Sequence, residues 1–347
     1  MRLTAARHEV DPDPVAFAAL AVERGWGDGL PLVPPTPERV EAHVVASHLG
    51  PEAVIAEIPP LNGQCTVERL AINAVMAGAP PESMPLLVAA ISAMSDPDFE
   101  LPSLNATTAS VVPAMIVNGP IRQALSVSFG SGCLGGADGN NASIGRAVRL
   151  TMRNVGGQRA GVTSQTVFGQ PGRTAGIVFS EWEERSPWAP LAERRGVSGN
   201  AVTVFGAMGT MNMLDGVADR GSILLDTIGR SLAYPSANGY LSGLAFSEVV
   251  VGINPIWAEM IGRDYPDIKE VEDVIWDAAA LPITSWPSEY HQPLGDAGRI
   301  ARDGRVHLMK ERDRRLLLVV CGGLGGLHGL GIHGFGTSTS ITRPVTG

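Results

Sequence analysis

Apolar side chains in the first hundred residues recur every three or four positions, the spacing that gives an α-helix one buried face. This pattern predicts helices over residues 13–24, 36–48, 66–77 and 81–94. Thr36 and Thr66 are placed to cap two of these helices, and Gly78 follows the third. The N-terminal part of the chain is therefore predicted to be mainly helical.

Short apolar runs further along the chain predict strands. They occupy residues 111–117, 177–179, 201–205, 248–251 and 316–320, with helices predicted over residues 142–154, 218–232, 255–261 and 268–280. This alternation favours an α/β fold, with a helical N-terminal portion and a mixed, largely parallel sheet. Glycine-rich loops follow the C-terminal ends of the strands, where such sheets bind ligands. We expect two domains, residues 1–195 and 196–347, with a pocket between them.

Charge and composition narrow the range of functions. The 347 residues carry a formal net charge of −9 with few lysines, which argues against a nucleic-acid partner. Three scattered cysteines, Cys65, Cys133 and Cys321, do not form a disulfide scaffold. The chain has neither a signal peptide nor an apolar run of membrane-helix length, so we expect a cytoplasmic protein without a membrane partner. Apolar side chains on the predicted helix 81–94 favour a homo-oligomer.

A glycine-rich loop at residues 130–141 is the strongest candidate binding site. Glycine backbones and the N-terminus of the helix that follows can present N–H groups to a small anionic or polar metabolite. The spacing matches neither the P-loop nor the dinucleotide fingerprint, so nucleotide binding is not indicated, and a purely structural turn is the alternative. The predicted substrate-binding residues are Asn118, Gly119, Gly130, Ser131, Gly132, Asn140, Asn141 and Arg146. Arg146 shares the polar face of the helix with Arg149 and Arg153.

Four side chains are candidate catalytic groups: Cys133, Asp138, His328 and His333. A thiol just before a helix can have a lowered pKa and act as a nucleophile, although Cys133 could also be a small residue packed in a turn. Asp138 could equally be a turn former. The two histidines could serve acid–base chemistry or ligate a metal.

The histidines belong to a second glycine-rich segment, residues 321–336, which we expect to fold over the pocket as a loop. An added edge strand is predicted after it, at residues 340–345. Two further sets of titratable groups have less functional promise. Three acidic residues within four positions, Glu181, Glu183 and Glu184, are typical of a solvated turn. Cys321 ends an apolar strand and is typical of a residue in the hydrophobic core.

Several stretches resemble a little-characterised bacterial family. They are the Asp-Gly-Leu-Pro-Leu-Val-Pro-Pro-Thr run at residues 28–36, the Ile-Asn-Ala-Val-Met-Ala-Gly run at residues 72–78, and segments 116–120, 142–150, 154–157 and 186–188. That family is associated with small neighbouring proteins that carry a selenocysteine-or-cysteine Gly-Ser-Cys motif. The resemblance implies thiol- or sulfur-linked redox or lyase chemistry and a small thiol protein as partner, without naming catalytic residues or a cofactor.

The sequence thus favours an enzyme that acts on a small anionic or polar metabolite bound by glycine-rich loops. Two alternatives remain open. One is a metal-dependent hydrolase or lyase that uses His328 and His333. The other is a non-catalytic scaffold subunit for a thiol partner protein.

Overall fold

The computed structural model describes residues 2–11, 13–135, 138–240, 248–310, 315–336 and 338–347. Its helices are α1 (Pro14–Glu23), α2 (Pro37–Ala46), α3 (Val67–Ala77), α4 (Met84–Met94), α5 (Leu101–Ala106), α6 (Ile121–Ala124), α7 (Asn141–Asn154), α8 (Gly172–Ala175), α9 (Leu191–Arg194), α10 (Gly221–Leu232), α11 (Pro255–Asp264), α12 (Ile268–Ala278) and α13 (His291–Asp296). Its strands are β1 (Val54–Ile58), β2 (Gly63–Thr66), β3 (Val112–Asn118), β4 (Ile177–Ser180), β5 (Ala201–Leu214), β6 (Val249–Ile253), β7 (Ala280–Pro282), β8 (Arg305–His307), β9 (Leu316–Val320), β10 (His328–Gly334) and β11 (Ile341–Pro344). The helices predicted in the first hundred residues are confirmed as α1 to α4.

Seven strands form one sheet in the order β4-β3-β5-β10-β6-β9, with β11 paired to the first part of β5. β3 is parallel to β4 and β6 is parallel to β9. β5 is antiparallel to β3, β10 and β11, and β10 is antiparallel to β6. The predicted α/β class with a mixed sheet is confirmed. The share of parallel pairing is smaller than expected, partly because segments predicted as loops are antiparallel strands.

Those segments are rich in glycine. β5 continues past the predicted strand 201–205 as far as Leu214, and residues 328–334, expected in a loop, form β10 beside it. Gly209 has a φ of 152°, a conformation that glycine adopts most readily, so the strand can bend there without ending. The loop prediction is wrong for these residues because their glycines are compatible with a bent strand. The added strand at the C-terminal end is present as β11.

The two halves of the sheet repeat one arrangement. In each half the second strand lies parallel beside the first, and the third lies antiparallel on its other side: β3, β4 and β5 in one half, and β6, β9 and β10 in the other. A trace is visible in the sequence, where Val-Asn-Gly-Pro-Ile at 117–121 matches Ile-Asn-Pro-Ile at 253–256. Asn118 therefore corresponds to Asn254. Glu181, directly after β4, corresponds to Cys321, directly after β9.

The sheet curls around a cluster of side chains from all six strands of its main path. Strand side chains alternate between faces, and the inward set includes Ile116, Phe179, Phe205, Val250, Leu317 and Ile332. The outward side chains of the first half pack with helices α3, α4 and α7, and those of the second half with α10, α11 and α12. The edges meet where the Trp182 amide donates to the Val320 carbonyl at 2.6 Å. This closure brings the ends of β4 and β9 together.

The expected domain boundary at residue 195 does not divide the sheet. β5 pairs with β3, which precedes residue 195 in the chain, and with β10, which follows it. Five apolar residues motivated the homo-oligomer. Leu86, Leu87, Ile91 and Met94 are buried inside the chain against other helices and strands, and Val88 is partly buried against the same core. They therefore give self-association no support. Within the described residues, no helix has the length and apolar character needed to cross a membrane.

Candidate active site

A cleft of about 600 Å³ opens where the glycine-rich segments meet. One wall is the loop 131–135, and the others are the ends of β5 and β6, residues 321–326, and the start of β10. Its polar or reactive side chains are Ser131, Cys133, Thr210, Asn212, Asn254, Cys321 and His328. The cleft is therefore lined by residues from both expected domains, 1–195 and 196–347, and Cys133 and His328 both lie in it.

Cys133 and Cys321 form a thiol pair in the wall of this cleft. Both are buried and neither is in a disulfide. The pKa of Cys133 is lowered, chiefly because the Cys321 thiol donates a hydrogen bond to its sulfur. Burial opposes this effect, and the backbone N–H groups of Gly322 and Leu134 reinforce it. Cys133 is thus the thiol of the pair that ionises first.

Cys321 is shifted in the opposite direction. Its pKa is raised well above the ordinary value because it donates to Cys133, because it is buried, and because it faces the negative charge of Cys133 and Glu181. In such a coupled pair Cys133 loses its proton at a lower pH than Cys321 does. The expectation that Cys321 belongs to the core captures its burial but misses its place in the cleft.

Asn141 fixes the loop that carries Cys133. Its side-chain amide donates to the carbonyls of Cys133 at 3.0 Å and Val178 at 2.8 Å, and its Oδ1 accepts from the Ser128 amide at 2.9 Å. The Gly322 amide donates to the Phe129 carbonyl at 2.8 Å, which joins this loop to the one after β9. These bonds hold the two glycine-rich segments together on either side of the two sulfur atoms.

Glu181 directly follows β4, and its negative charge contributes to the raised pKa of Cys321. It is 1% exposed, and its carboxylate accepts from the Asn118 amide and the Leu191 backbone N–H, each at 2.7 Å. Burial raises the pKa of Glu181 to about 7. The expectation of a solvated turn is wrong for Glu181, because the closure of the sheet buries this residue. The residues around Glu181 in the sequence do not indicate that closure.

The neighbouring acids are more exposed and form ion pairs. Glu183 accepts from Asn118 at 2.9 Å and from the Gly119 amide at 2.7 Å, and it pairs with buried Arg122 at 3.1 Å. Glu184 pairs with the same arginine at 2.8 Å. Asn118 and Gly119, predicted to bind substrate, are therefore engaged by carboxylates behind the cleft.

His328 stands at the mouth of the cleft and is exposed. Its Nδ1 lies 3.1 Å from Asn212 Oδ1, so this nitrogen carries the proton if the two are hydrogen-bonded. Asn254 donates to the His328 carbonyl at 2.8 Å, and the Trp257 indole donates to the Gly326 carbonyl at 2.6 Å. The start of α11 thus anchors the wall of the cleft that carries the histidine.

His333 is outside this site. It lies on the opposite face of β10 from His328, buried with its ring 5.3 Å from that of Tyr234, and burial lowers its pKa to about 4. The two histidines consequently do not converge on one ion. Across the described residues, no group of three potential ligands among histidine, cysteine and acidic side chains was found.

Two arginines of α7, Arg146 and Arg149, form their hydrogen bonds away from the cleft. Arg146 forms a two-pronged ion pair with Asp28, at 2.7 and 2.8 Å, and donates to the carbonyls of Leu30 and Pro31. Arg149 is buried and donates to the Arg173 carbonyl and Gln158, so the expectation of three cations on one polar face is wrong. An arginine on the polar face of a helix can bind the carbonyl and carboxylate oxygens of a neighbouring loop as readily as it can bind a ligand.

The remaining predicted residues are divided between the cleft and its surroundings. Ser131 and Gly132 line the cleft. Gly130 lies near the Trp182 ring, and Asn140 donates to the Leu125 carbonyl at 2.9 Å. Asp138 is exposed and lies outside the set of residues that line the cleft, and Gly136 of the same loop lies outside the described residues.

A second cleft of about 700 Å³ lies between residues 3–10 and helix α3. Its buried carboxylate, Glu68, accepts from the amide and hydroxyl of Thr4 and from the Ala5 amide. No cysteine is among the described residues that line it. The two thiols of Cys133 and Cys321 line the other cleft.

Sequence reasoning missed Glu181, Cys321, Asn212 and Asn254 as members of the site or its support. The signal available was the pair of similar elements, Asn-Gly-Pro-Ile at 118–121 and Asn-Pro-Ile at 254–256, since Asn118 and Asn254 lie at the ends of equivalent strands beside Glu181 and Cys321. No protein-family model matches the chain, and no curated protein is similar enough to establish a relationship.

Proposed function

We propose that this chain is an enzyme whose Cys133 thiolate attacks a small polar substrate in the cleft of residues 131–135 and 321–330. The observation that carries the proposal is the asymmetry of the thiol pair. Cys133 has a lowered pKa, Cys321 has a raised one, and both line one cleft. A thiolate is the reactive form of cysteine, and such a lowered pKa marks nucleophilic cysteines.

The surroundings of Cys133 suit a small polar ligand. Thr210, Asn212 and His328 offer hydrogen-bonding side chains at the mouth, and Gly323, Gly325 and Gly326 offer backbone N–H groups. Arginine and lysine are missing from the described residues that line the cleft, so a bound anion would depend on those amides and on His328. His328 is also the group positioned to donate or accept a proton there.

Alkylation with iodoacetamide tests the proposal without knowledge of the substrate. Cys65 supplies a matched comparison, because it is fully buried and its pKa is raised to about 12. We expect mass spectrometry of the native protein to locate the rapid modification at Cys133, and Cys133→Ser to abolish it, whereas Cys65→Ser leaves it unchanged. Equal rates at Cys133 and Cys65 would contradict the proposal.

A further inference from the structure

The two thiols line the cleft, and the buried carboxylate of Glu181 lies near one of them. Cys133 and Cys321 both border the open space, whereas Glu181 is not part of the cleft lining. Glu181 is close enough to Cys321 for its negative charge to raise the pKa of that thiol. The hydrogen bond between Trp182 and Val320 joins the residues directly next to Glu181 and Cys321 in the chain. The closure of the curled sheet therefore holds the acid and the second thiol together.

From this arrangement we propose that Cys133 and Cys321 are a redox dithiol that reduces a small-molecule disulfide, and that Glu181 takes the proton from Cys321. This inference rests on the proposed role of Cys133 as nucleophile. It adds the substrate class, the resolving thiol and the proton acceptor.

The chemistry balances in two exchanges. The Cys133 thiolate attacks one sulfur of the substrate disulfide, forming a mixed disulfide and releasing the first substrate thiolate, which takes a proton from water. Cys321 then transfers its proton to Glu181 and attacks the Cys133 sulfur, which releases the second substrate thiolate. This thiolate takes a proton from water, and Glu181 returns the proton it accepted to solvent. The protein gains a Cys133–Cys321 disulfide and the substrate disulfide becomes two thiols. A thiol-class reductant returns the protein to its starting state.

Glu181 is suited to this task by its surroundings. Its carboxylate accepts hydrogen bonds from the Asn118 amide and the Leu191 N–H. The charge of Arg194 lowers its pKa and that of Glu183 raises it, and the charge of Glu181 in turn raises the pKa of Cys321. Burial disfavours its charged form, so it holds a proton up to near-neutral pH and accepts one readily above that range. Glu184, in the same acidic segment, is half-exposed and paired with Arg122 instead.

Reaction with dithiodipyridine separates the two exchanges, since each releases a coloured thiopyridone. For the intact chain we expect release of two equivalents and a protein mass lower by two hydrogens. For Cys321→Ala we expect one equivalent and a stable mixed disulfide on Cys133. If the unaltered protein also stops at the mixed disulfide, the resolving role of Cys321 is wrong while Cys133 remains the nucleophile. Unchanged release of both equivalents by Cys133→Ser would overturn this inference and the proposed function together.

The role of Glu181 is tested by the rate of the second release. We expect Glu181→Gln to slow this step about a hundredfold and to remove its pH dependence near neutrality, with the first step unchanged. Glu184→Gln is the matched control and should leave both steps intact. A second release that proceeds at the normal rate in Glu181→Gln would refute the proton-transfer role. Should that variant not fold, the pH profile of the second step in the unaltered protein decides: a step insensitive to pH near neutrality refutes the role.

Discussion

Replacement of Asn141 by alanine should loosen the loop that carries Cys133. The substitution removes the partners of three backbone groups: the buried carbonyls of Cys133 and Val178 and the partly buried amide of Ser128. An unpaired buried backbone group costs about 1–3 kcal/mol, and partial relaxation lets water reach some of them. We therefore expect the free energy of unfolding to fall by about 3–5 kcal/mol.

Asn140→Ala provides the comparison for this prediction. Asn140 is more exposed and its side chain makes one bond, to the Leu125 carbonyl, so its loss should cost about 1 kcal/mol. Urea unfolding of both variants measures the difference, and the rate of Cys133 alkylation should drop in Asn141→Ala alone. Equal losses of stability, or unchanged alkylation in a folded Asn141→Ala protein, would refute the view that Asn141 positions the thiol.

Two further substitutions test the electrostatics. Burial raises the pKa of Glu181 from 4.5 to about 7, so its contribution to stability is complete below 4.5 and is lost as the pH rises through 7. The free energy of unfolding should therefore fall by up to roughly 3 kcal/mol between pH 4.5 and 7, and Glu181→Gln should remove this fall. Urea unfolding across the pH range measures it. If the fall persists in Glu181→Gln, Glu181 does not carry the raised pKa. Arg146→Ala should lower the free energy of unfolding by about 2–3 kcal/mol through loss of its bonds to Asp28 and the 30–31 carbonyls. A double-mutant cycle with Asp28→Ala should show a favourable coupling, and strictly additive effects would contradict the ion pair.

The elements whose ends depend on local chemistry were predictable from the sequence. Thr66 caps α3 through a bond from the Arg69 amide, and Gly78 adopts the left-handed conformation at its end, as the residue types indicate. The buried strand β3 and the helix α7 after the glycine loop follow from their apolar patterns in the same way. Cys133 and His328 could be singled out because each lies in a glycine-rich segment next to such an element.

Features that depend on contacts between residues far apart in the chain could not be predicted from the sequence. Glu181 is buried only because the ends of β4 and β9 meet, and the segment around it has the composition of an exposed turn. His328 and His333 were grouped by proximity in sequence, yet strand geometry sends them to opposite faces of β10. Arg146 was matched to a ligand because its partner, Asp28, lies far away in sequence.

The central claim is that Cys133 carries a thiolate stabilised by Cys321, and a pH titration of thiolate absorbance in the ultraviolet tests it most directly. The difference between the intact protein and Cys133→Ser isolates the Cys133 signal. We predict an apparent pKa below the ordinary value of 9.0, and a rise of that pKa in Cys321→Ala because the hydrogen bond is lost. A Cys133 thiol that titrates at or above 9.0, or whose pKa is the same in Cys321→Ala, would contradict the account.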